Sequence, residues 1–493
     1  MRPRDLLAAL RGLPRGLLGR ADGLFKGPEE LDLTEGSIGW PLFYLSIPIV
    51  VTNLLQTAYN LADTFWLGQY STEALAAISF AFPMVFLLIS VGIGLTVAGS
   101  VLVAQHTGAG EPREAEYAAS QTVTFAAVGA LLLGVVGFVL VDDFLSFLGA
   151  DGNVLVLAAA YMQVVSLGLV SLFGFLVFLS LMRGYGDTVT PMLVMLGTVV
   201  LNIVVDPLLI FGVGPIPELG ITGAAIATVF SRGLATVVGL AIMFRGHRGI
   251  EINLGDMRPD TTYLRRLLRI GVPASVEVTG RALSINLLLI VVATFPDTVV
   301  AAFGVGIRVF SVIFLPAIAV GRGVETLTGQ NIGAGNPDRA ARTNDFAALA
   351  MFGILSVAAV VVWLTAPGIV AVFTDDPAVI PVGAQFLRTV APTFGFLGVV
   401  RAYGGGFRGA GRTLTAAAIA IFTQGLVRLP LAWVGARQFG TVGLFGAFVV
   451  SNVVGAAIAF VWFRRGTWRD ADLTEDPTVP EADVTVEDEP AVD

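Results

Sequence analysis

The feature that most constrains this chain is a repeat written inside long apolar stretches. Gln105-His106-Thr107-Gly108-Ala109-Gly110-Glu111-Pro112 returns as Gln330-Asn331-Ile332-Gly333-Ala334-Gly335-Asn336-Pro337. Arg183-Gly184-Tyr185-Gly186-Asp187-Thr188-Val189-Thr190 returns as Arg408-Gly409-Ala410-Gly411-Arg412-Thr413-Leu414-Thr415. Pro48, in the first long apolar segment, returns as Pro273. All three pairs stand 225 residues apart. A duplicated membrane bundle leaves a cavity between its halves, the place where transporters of this build hold cargo.

Composition narrows the class. Of 493 residues, 55% are hydrophobic and 13% charged, about half the charge of an ordinary soluble protein. There is no cysteine, which removes disulfides, thiolate metal sites and cysteine nucleophiles. The two histidines, His106 and His247, fall in stretches that read as loops, which argues against an intramembrane imidazole relay. From Asp470 onward there are ten acids and no bases against a total charge of −8, so residues 1–469 sum to +2.

A bilayer-spanning helix needs ~20 mostly apolar residues. Twelve segments qualify: 38–66, 74–101, 117–141, 154–182, 188–212, 220–244, 264–293, 298–326, 345–372, 380–406, 413–436 and 440–463. With the N-terminus inside, the inner tails, loops and the inner end of the seventh segment (Arg265, Arg266 and Arg269) hold 21 of 29 bases, the outer loops hold only Arg437, and seven arginines lie deeper within spans. That asymmetry places both termini in the cytoplasm and the chain in the plasma membrane. The expected organisation is a basic amphipathic segment 1–37, a six-helix lobe 38–244, a linker 245–263, a second six-helix lobe 264–463 and an acidic disordered tail 464–493. Six is even, so both halves insert in the same sense. The expected fold is all-α and polytopic, two lobes related by a pseudo-twofold axis along the membrane normal.

An acid inside a bilayer demands an explanation. The first half holds two, Asp63 and Asp206. Both lie in the outer third of outward-running segments, hence at similar depth. Gln56, Tyr59, Asn60 and Asp63 share a helix face, as do Asn202 and Asp206, four apart. Tyr161 should reach the same depth. The second half lacks the acids: Asp63 corresponds to Leu288, while Asp206-Pro207 corresponds to Leu429-Pro430 with the register slipped by two. Carboxylates needed to fold a lobe would be needed twice, so these read as a task peculiar to the first lobe. The pair can share a proton or cage a hard cation such as sodium.

In the second half, Glu277 with Arg281 and Glu325 with Arg322 have the spacing of local ion pairs. Glu277 is also a functional candidate, because it follows the repeated proline. Arg388 and Arg428 are candidates to line the cavity, giving an acidic lobe opposite a basic one. Pro48 and Pro273 remove backbone hydrogen bonds inside their helices and are candidate gating kinks.

These residues together resemble the multidrug and toxic compound extrusion (MATE) family. The likeness is carried by Pro48, Asp63-Thr64, the Gln105…Gly108-Ala109-Gly110 loop with its echo at Gln330, the Arg183 loop, and Asn202…Asp206-Pro207, and it covers about 38–463. It implies two six-helix lobes around a V-shaped central cavity. It also implies antiport of amphipathic drugs or toxins against protons or sodium, with no other cofactor. In archaeal-type members the cation site involves residues matching Asp63, Asn202 and Asp206, and Gln56, Tyr59 and Tyr161 match positions of that lobe's polar cavity. One departure is Arg401, in a region where some bacterial relatives hold an acid. The six arginines within second-half spans leave room for anionic or zwitterionic cargo.

The nearest rival is a lipid-linked oligosaccharide flippase of the same superfamily, which often adds two helices. An enzyme finds no motif here, neither paired-aspartate prenyl-transferase nor zinc-protease signature nor serine–histidine pair, and no nucleotide-binding loop offers direct ATP drive. A passive channel would not need a titratable pair. Nucleic acid is not an expected partner, and a monomer is expected.

Overall fold

The computed structural model describes residues 33–246, 248–471 and 473–474. The expected segment 1–37 therefore lies outside the described residues except for 33–37, and the acidic tail does so from 475 onward. The first half comprises α1 (Gly39–Tyr70), α2 (Thr72–Gly108), α3 (Pro112–Phe147), α4 (Gly152–Leu167), α5 (Leu169–Tyr185), α6 (Val189–Phe211) and α7 (Gly220–Phe244). The second comprises α8 (Thr261–Val292), α9 (Asp297–Ile313), α10 (Leu315–Gly333), α11 (Pro337–Ala371), α12 (Val379–Val390), α13 (Phe394–Gly409), α14 (Thr413–Ile421) and α15 (Leu429–Arg464).

More than twelve helices make twelve crossings. Eight apolar stretches are long enough to span alone, and two bent pairs, α4–α5 (56°) and α9–α10 (41°), bring the number to ten. The last of the eight, Thr413–Arg464, is really two. Gly440 breaks it with φ 60° and ψ −138°, and the backbones of Gly435 and Gly443 lie against each other across the reversal. Finally α12 and α13 join through a 3-10 turn at Ala391–Thr393 to form one further crossing. That turn stands 225 residues from Gly168, the break between α4 and α5, so the kink is itself duplicated. The slip in register around Pro430 also has a place. It falls within Phe422–Arg428, a π-helical segment joining α14 to α15.

Apolar side chains face outward over much of the bundle. Leu132, Val135 and Val139 on α3 and Val357, Val360 and Leu364 on α11 are all exposed, as a lipid-facing surface requires.

The lobes meet through equivalent helices. α1 packs on α10, α2 packs on α8, and α2 crosses α10. At one end of this seam the repeated motifs interlock. Gln105 Nε2 donates to the Gly409 carbonyl at 3.0 Å, and Gln330 Nε2 donates to the Gly184 and Tyr185 carbonyls at 3.2 and 2.9 Å. Both described chain ends reach the same place. Asn331 Nδ2 donates to the Leu33 carbonyl at 3.1 Å, and the Leu473 amide donates to Gln105 Oε1 at 2.9 Å. His106, expected in a loop, instead closes the last turn of α2, buried and 2.8 Å from Glu111 Oε2.

The linker between lobes is tied to α3. Gln121 Nε2 donates to the Asp256 and Arg258 carbonyls at 2.5 and 2.8 Å, and Arg113 pairs with Asp256. Asp260 then caps α8 by accepting from the Thr262 and Tyr263 amides, satisfying donors that a helix start leaves orphaned.

Candidate functional site

Four helices of the first lobe converge on the two acids. Asp63 stands on α1, Asn202 and Asp206 on α6, Tyr161 on α4, and Thr228 and Arg232 on α7. Asn202 and Asp206 are fully buried, and Asp63 is 8% exposed. The one-turn spacing on α6 acts as expected, with Asn202 Nδ2 donating to Asp206 Oδ1 at 3.0 Å. The Asp63 and Asp206 carboxyls lie close enough to interact side chain to side chain. Tyr161 is buried beside both.

The cluster sets two carboxyls and an amide oxygen beside the hydroxyls of Tyr59, Tyr161 and Thr228 and the guanidinium of Arg232. Asp63 Oδ1, Asp206 Oδ2, Asn202 Oδ1, the Tyr59 hydroxyl and Thr228 Oγ1 are buried and receive no hydrogen bond of good geometry among the described residues, although Thr228 lies within side-chain reach of both Asp63 and Tyr59. Buried oxygens are ordinarily satisfied, so a group of five in one place is unusual. Such a donor set suits a small hard cation or a proton. Among the described residues no cluster of three or more His, Cys, Asp or Glu exists that would hold a multivalent metal ion.

Beside the acids opens a cavity of about 420 Å³, lined by Gln56, Tyr59, Asn60, Asp63 and Tyr161 together with apolar side chains such as Phe82, Phe86 and Phe175. That volume is within the range of pockets that take drug-sized molecules. All four residues named from sequence as cavity residues are present. Gln56 Nε2 donates to Asn60 Oδ1 at 3.0 Å, which fixes the amide orientation. Pro48 and Pro273 lie inside α1 and α8, which run without a break through both. The Thr52 hydroxyl donates to the Pro48 carbonyl at 2.8 Å.

Sequence reasoning missed one wall of the cavity. Arg232 reaches from α7 to donate to Gln56 Oε1 at 2.7 Å, with its guanidinium 4.5 Å from the Tyr59 ring centre and 4.9 Å from that of Phe175. The signal was available: Arg232 is the one arginine within a first-lobe span other than those at its ends, and an intramembrane base invites the same question as an intramembrane acid. Its partner, on a helix 176 residues away in sequence, was not readable from spacing.

Neither of the second-lobe arginines named from sequence, Arg388 and Arg428, is among the residues lining the cavity beside Asp63. Arg388 is exposed, its Nε donating to the Trp363 carbonyl at 3.2 Å and its guanidinium 5.8 Å from the indole. This is the geometry of a long cationic side chain running along an apolar surface. Arg428 is buried within the second lobe, held by Ser451 Oγ and Asn452 Oδ1, each at 2.8 Å. Glu277 and Glu325 are indeed ion-paired locally, to Arg281 at 2.9 Å and to Arg322 at 3.1 Å. Each also binds Arg408, at 3.2 and 2.9 Å respectively, a shared partner that helical spacing did not reveal.

Comparison with known proteins places this architecture. The MatE family model matches twice, over residues 48–208 and 273–434, once per lobe. The probable multidrug resistance protein YpnP of Bacillus subtilis is 29% identical over 90% of this chain and 98% of its own length. A FAD transporter of Shewanella oneidensis is 29% identical over 86% of this chain and 93% of its own. A solved MOP superfamily transporter from Pyrococcus furiosus superposes with a TM-score of 0.82 at 25% identity, covering 90% of this chain and 98% of that one. Two family matches on a duplicated twelve-helix bundle decide the point: this chain is a member of the MATE family of multidrug efflux transporters, a multi-span membrane protein that moves small molecules and is not an enzyme.

Proposed function

We propose that this protein is a cation-coupled exporter of amphipathic drugs or toxins, working by alternating access in the plasma membrane with both tails in the cytoplasm. Asp63, Asn202 and Asp206 form its coupling site, and Gln56, Tyr59, Asn60 and Tyr161 its cargo cavity. The observation that carries this reading is the meeting of Asp63 and Asp206, from different helices, in one buried group of oxygens short of hydrogen bonds beside the cavity. Two carboxylates at close range repel when both are ionised, so a proton or a sodium ion relieves the strain, and its departure restores it. That difference between loaded and empty states can bias an equilibrium between two lobe arrangements.

Asp63 and Asp206 supply the charge for either ion, and Asn202 Oδ1 a neutral ligand for sodium. Pro48 weakens α1 about four turns from Asp63, which offers a place for the helix to bend when the load changes. The test is reconstitution into vesicles with a proton or a sodium gradient imposed separately and efflux of a fluorescent cation followed. One gradient should drive efflux in the unaltered protein, and Asp63→Asn and Asp206→Asn should each abolish that dependence. Gradient-driven flux retained by both variants would refute the site.

A second reading concerns cargo charge. Arg232 places a guanidinium in the cavity wall, and a relative of this chain transports FAD. Both favour cargo carrying an anionic group, with Arg232 as its partner.

A further inference from the structure

The second lobe contains its own internal polar cavity, and its chemistry is reversed. It is lined by Glu277 and Arg281 of α8, Arg401 and Arg408 of α13, and Gln424 of the π-helical segment. Its position is related to the first-lobe cavity by the repeat. At the 225-residue register Arg281 corresponds to Gln56, Arg401 to Leu176 and Gly404 to Leu179. Gln56, Leu176 and Leu179 all line the cavity beside Asp63.

Charge does not balance there. Glu277 feels Arg408, Arg281, Arg401 and Arg322, while Glu325 feels Arg322, Arg408 and Arg183. Two carboxylates thus face five guanidiniums inside the bundle. Arg281, Arg322 and Arg408 use the carboxylates as described above. Among the described residues Arg183 donates only to Ser180 Oγ, at 3.1 Å, and its Nε is buried without a partner. Arg401 makes no hydrogen bond or ion pair among the described residues and lies near three other guanidiniums. The Gln424 side chain, on the same wall, makes no hydrogen bond among the described residues. Arg281, Arg322 and Arg401 are half-buried and Arg408 is buried, so bulk water screens this excess of positive charge only in part, and an anion among them is favoured.

The cavity measures about 20 Å³, room for one occupant near the size of a water molecule. A carboxylate or phosphate group attached to cargo exceeds that, whereas a monatomic anion fits with small shifts of flexible arginines. We propose that the second lobe binds a halide ion, chloride under physiological conditions, held by Arg281, Arg401 and Arg408 with Gln424 donating from the side. One lobe would then carry cations and its twin a small anion at a related position. The anion offsets the excess guanidinium charge, and the proposal stands apart from the role of Asp63 and Asp206.

The test compares thermal unfolding of the purified full-length protein in sodium chloride, sodium bromide and sodium gluconate at equal concentration. Gluconate is a carboxylate too large for the cavity. The midpoint should be higher by roughly 2 °C or more in the two halides, as expected for a ligand bound only by the folded state. The gap should vanish in Arg401→Gln and persist in Asp63→Asn. In crystals of the unaltered protein grown in bromide, an anomalous peak should appear beside Arg401, which decides the matter even if the variant fails to fold. Equal midpoints in the three salts, a gap of unchanged size in Arg401→Gln, or bromide peaks only elsewhere would each overturn the proposal.

Discussion

Gly108 and Gln330 approach so closely across the lobe boundary that a methyl group on Gly108 would stand 1.9 Å from the Gln330 carbonyl oxygen. The duplicate contact has the same measure: a methyl group on Gly333 would stand 1.9 Å from the Gln105 carbonyl oxygen. The obstacle in both cases is backbone at the crossing of α2 and α10, which cannot swing aside as a side chain can. Gly108→Ala and Gly333→Ala should each force the lobes apart at this end. Distances between spin labels placed on either side of the seam should lengthen, and efflux should fall for both variants alike. Unchanged distances in either variant would remove the seam from the mechanism.

Asp63 and Asp206 should behave as one unit. Asp63→Asn and Asp206→Asn are each expected to lower gradient-driven efflux on the order of tenfold or more, the usual scale of coupling between two sites. The double variant should be little worse than either single, because removing one carboxylate already ends the competition for the ion. Multiplying losses, measured as initial efflux rates in vesicles, would mean that the two act separately.

Arg232 should govern cargo charge. Arg232→Gln removes the bond to Gln56 and the stacking over Tyr59 and Phe175, worth ~0.5–2 kcal/mol for each desolvated cation–ring contact. Anionic substrates should lose about tenfold in apparent affinity, while cationic dyes hold or gain. Equal losses for both, read from competition with a fluorescent substrate, would reduce Arg232 to a packing residue.

Glu325 tests the second-lobe ion network. It is 3% exposed and bound by both Arg322 and Arg408. Glu325→Gln leaves those guanidiniums short of a buried partner, and a loss of about 3–5 kcal/mol of stability is expected. Combining it with Arg408→Gln should cost less than the two singles together, since each deletes the same contact. Thermal unfolding of all four proteins completes the cycle.

Much of this architecture was legible in the sequence because it depends on local rules. Span length and apolarity located the twelve crossings, and a constant 225-residue register exposed the duplication. The four-residue spacing of Asn202 and Asp206 put them on one face of α6, and matching depth brought Asp63 to meet them. What stayed hidden depends on which helix neighbours which. Arg232 reaches Gln56 on a different helix, and Arg408 lies 131 residues from Glu277. Arg388 shows the limit from the other side. Its rotation about the helix axis depends on the packing of α12 against α11, which sets it against Trp363, a neighbour that spacing along one helix does not reveal.

The ends of the described chain are clipped to the joint between lobes, Leu33 through Asn331 and Leu473 through Gln105. Strain delivered at Leu33 or Leu473 is therefore passed straight to the contact between the lobes. A fluorescent or affinity label added there is a load on the machine as well as a handle, and turnover compared before and after its proteolytic removal measures how heavy that load is.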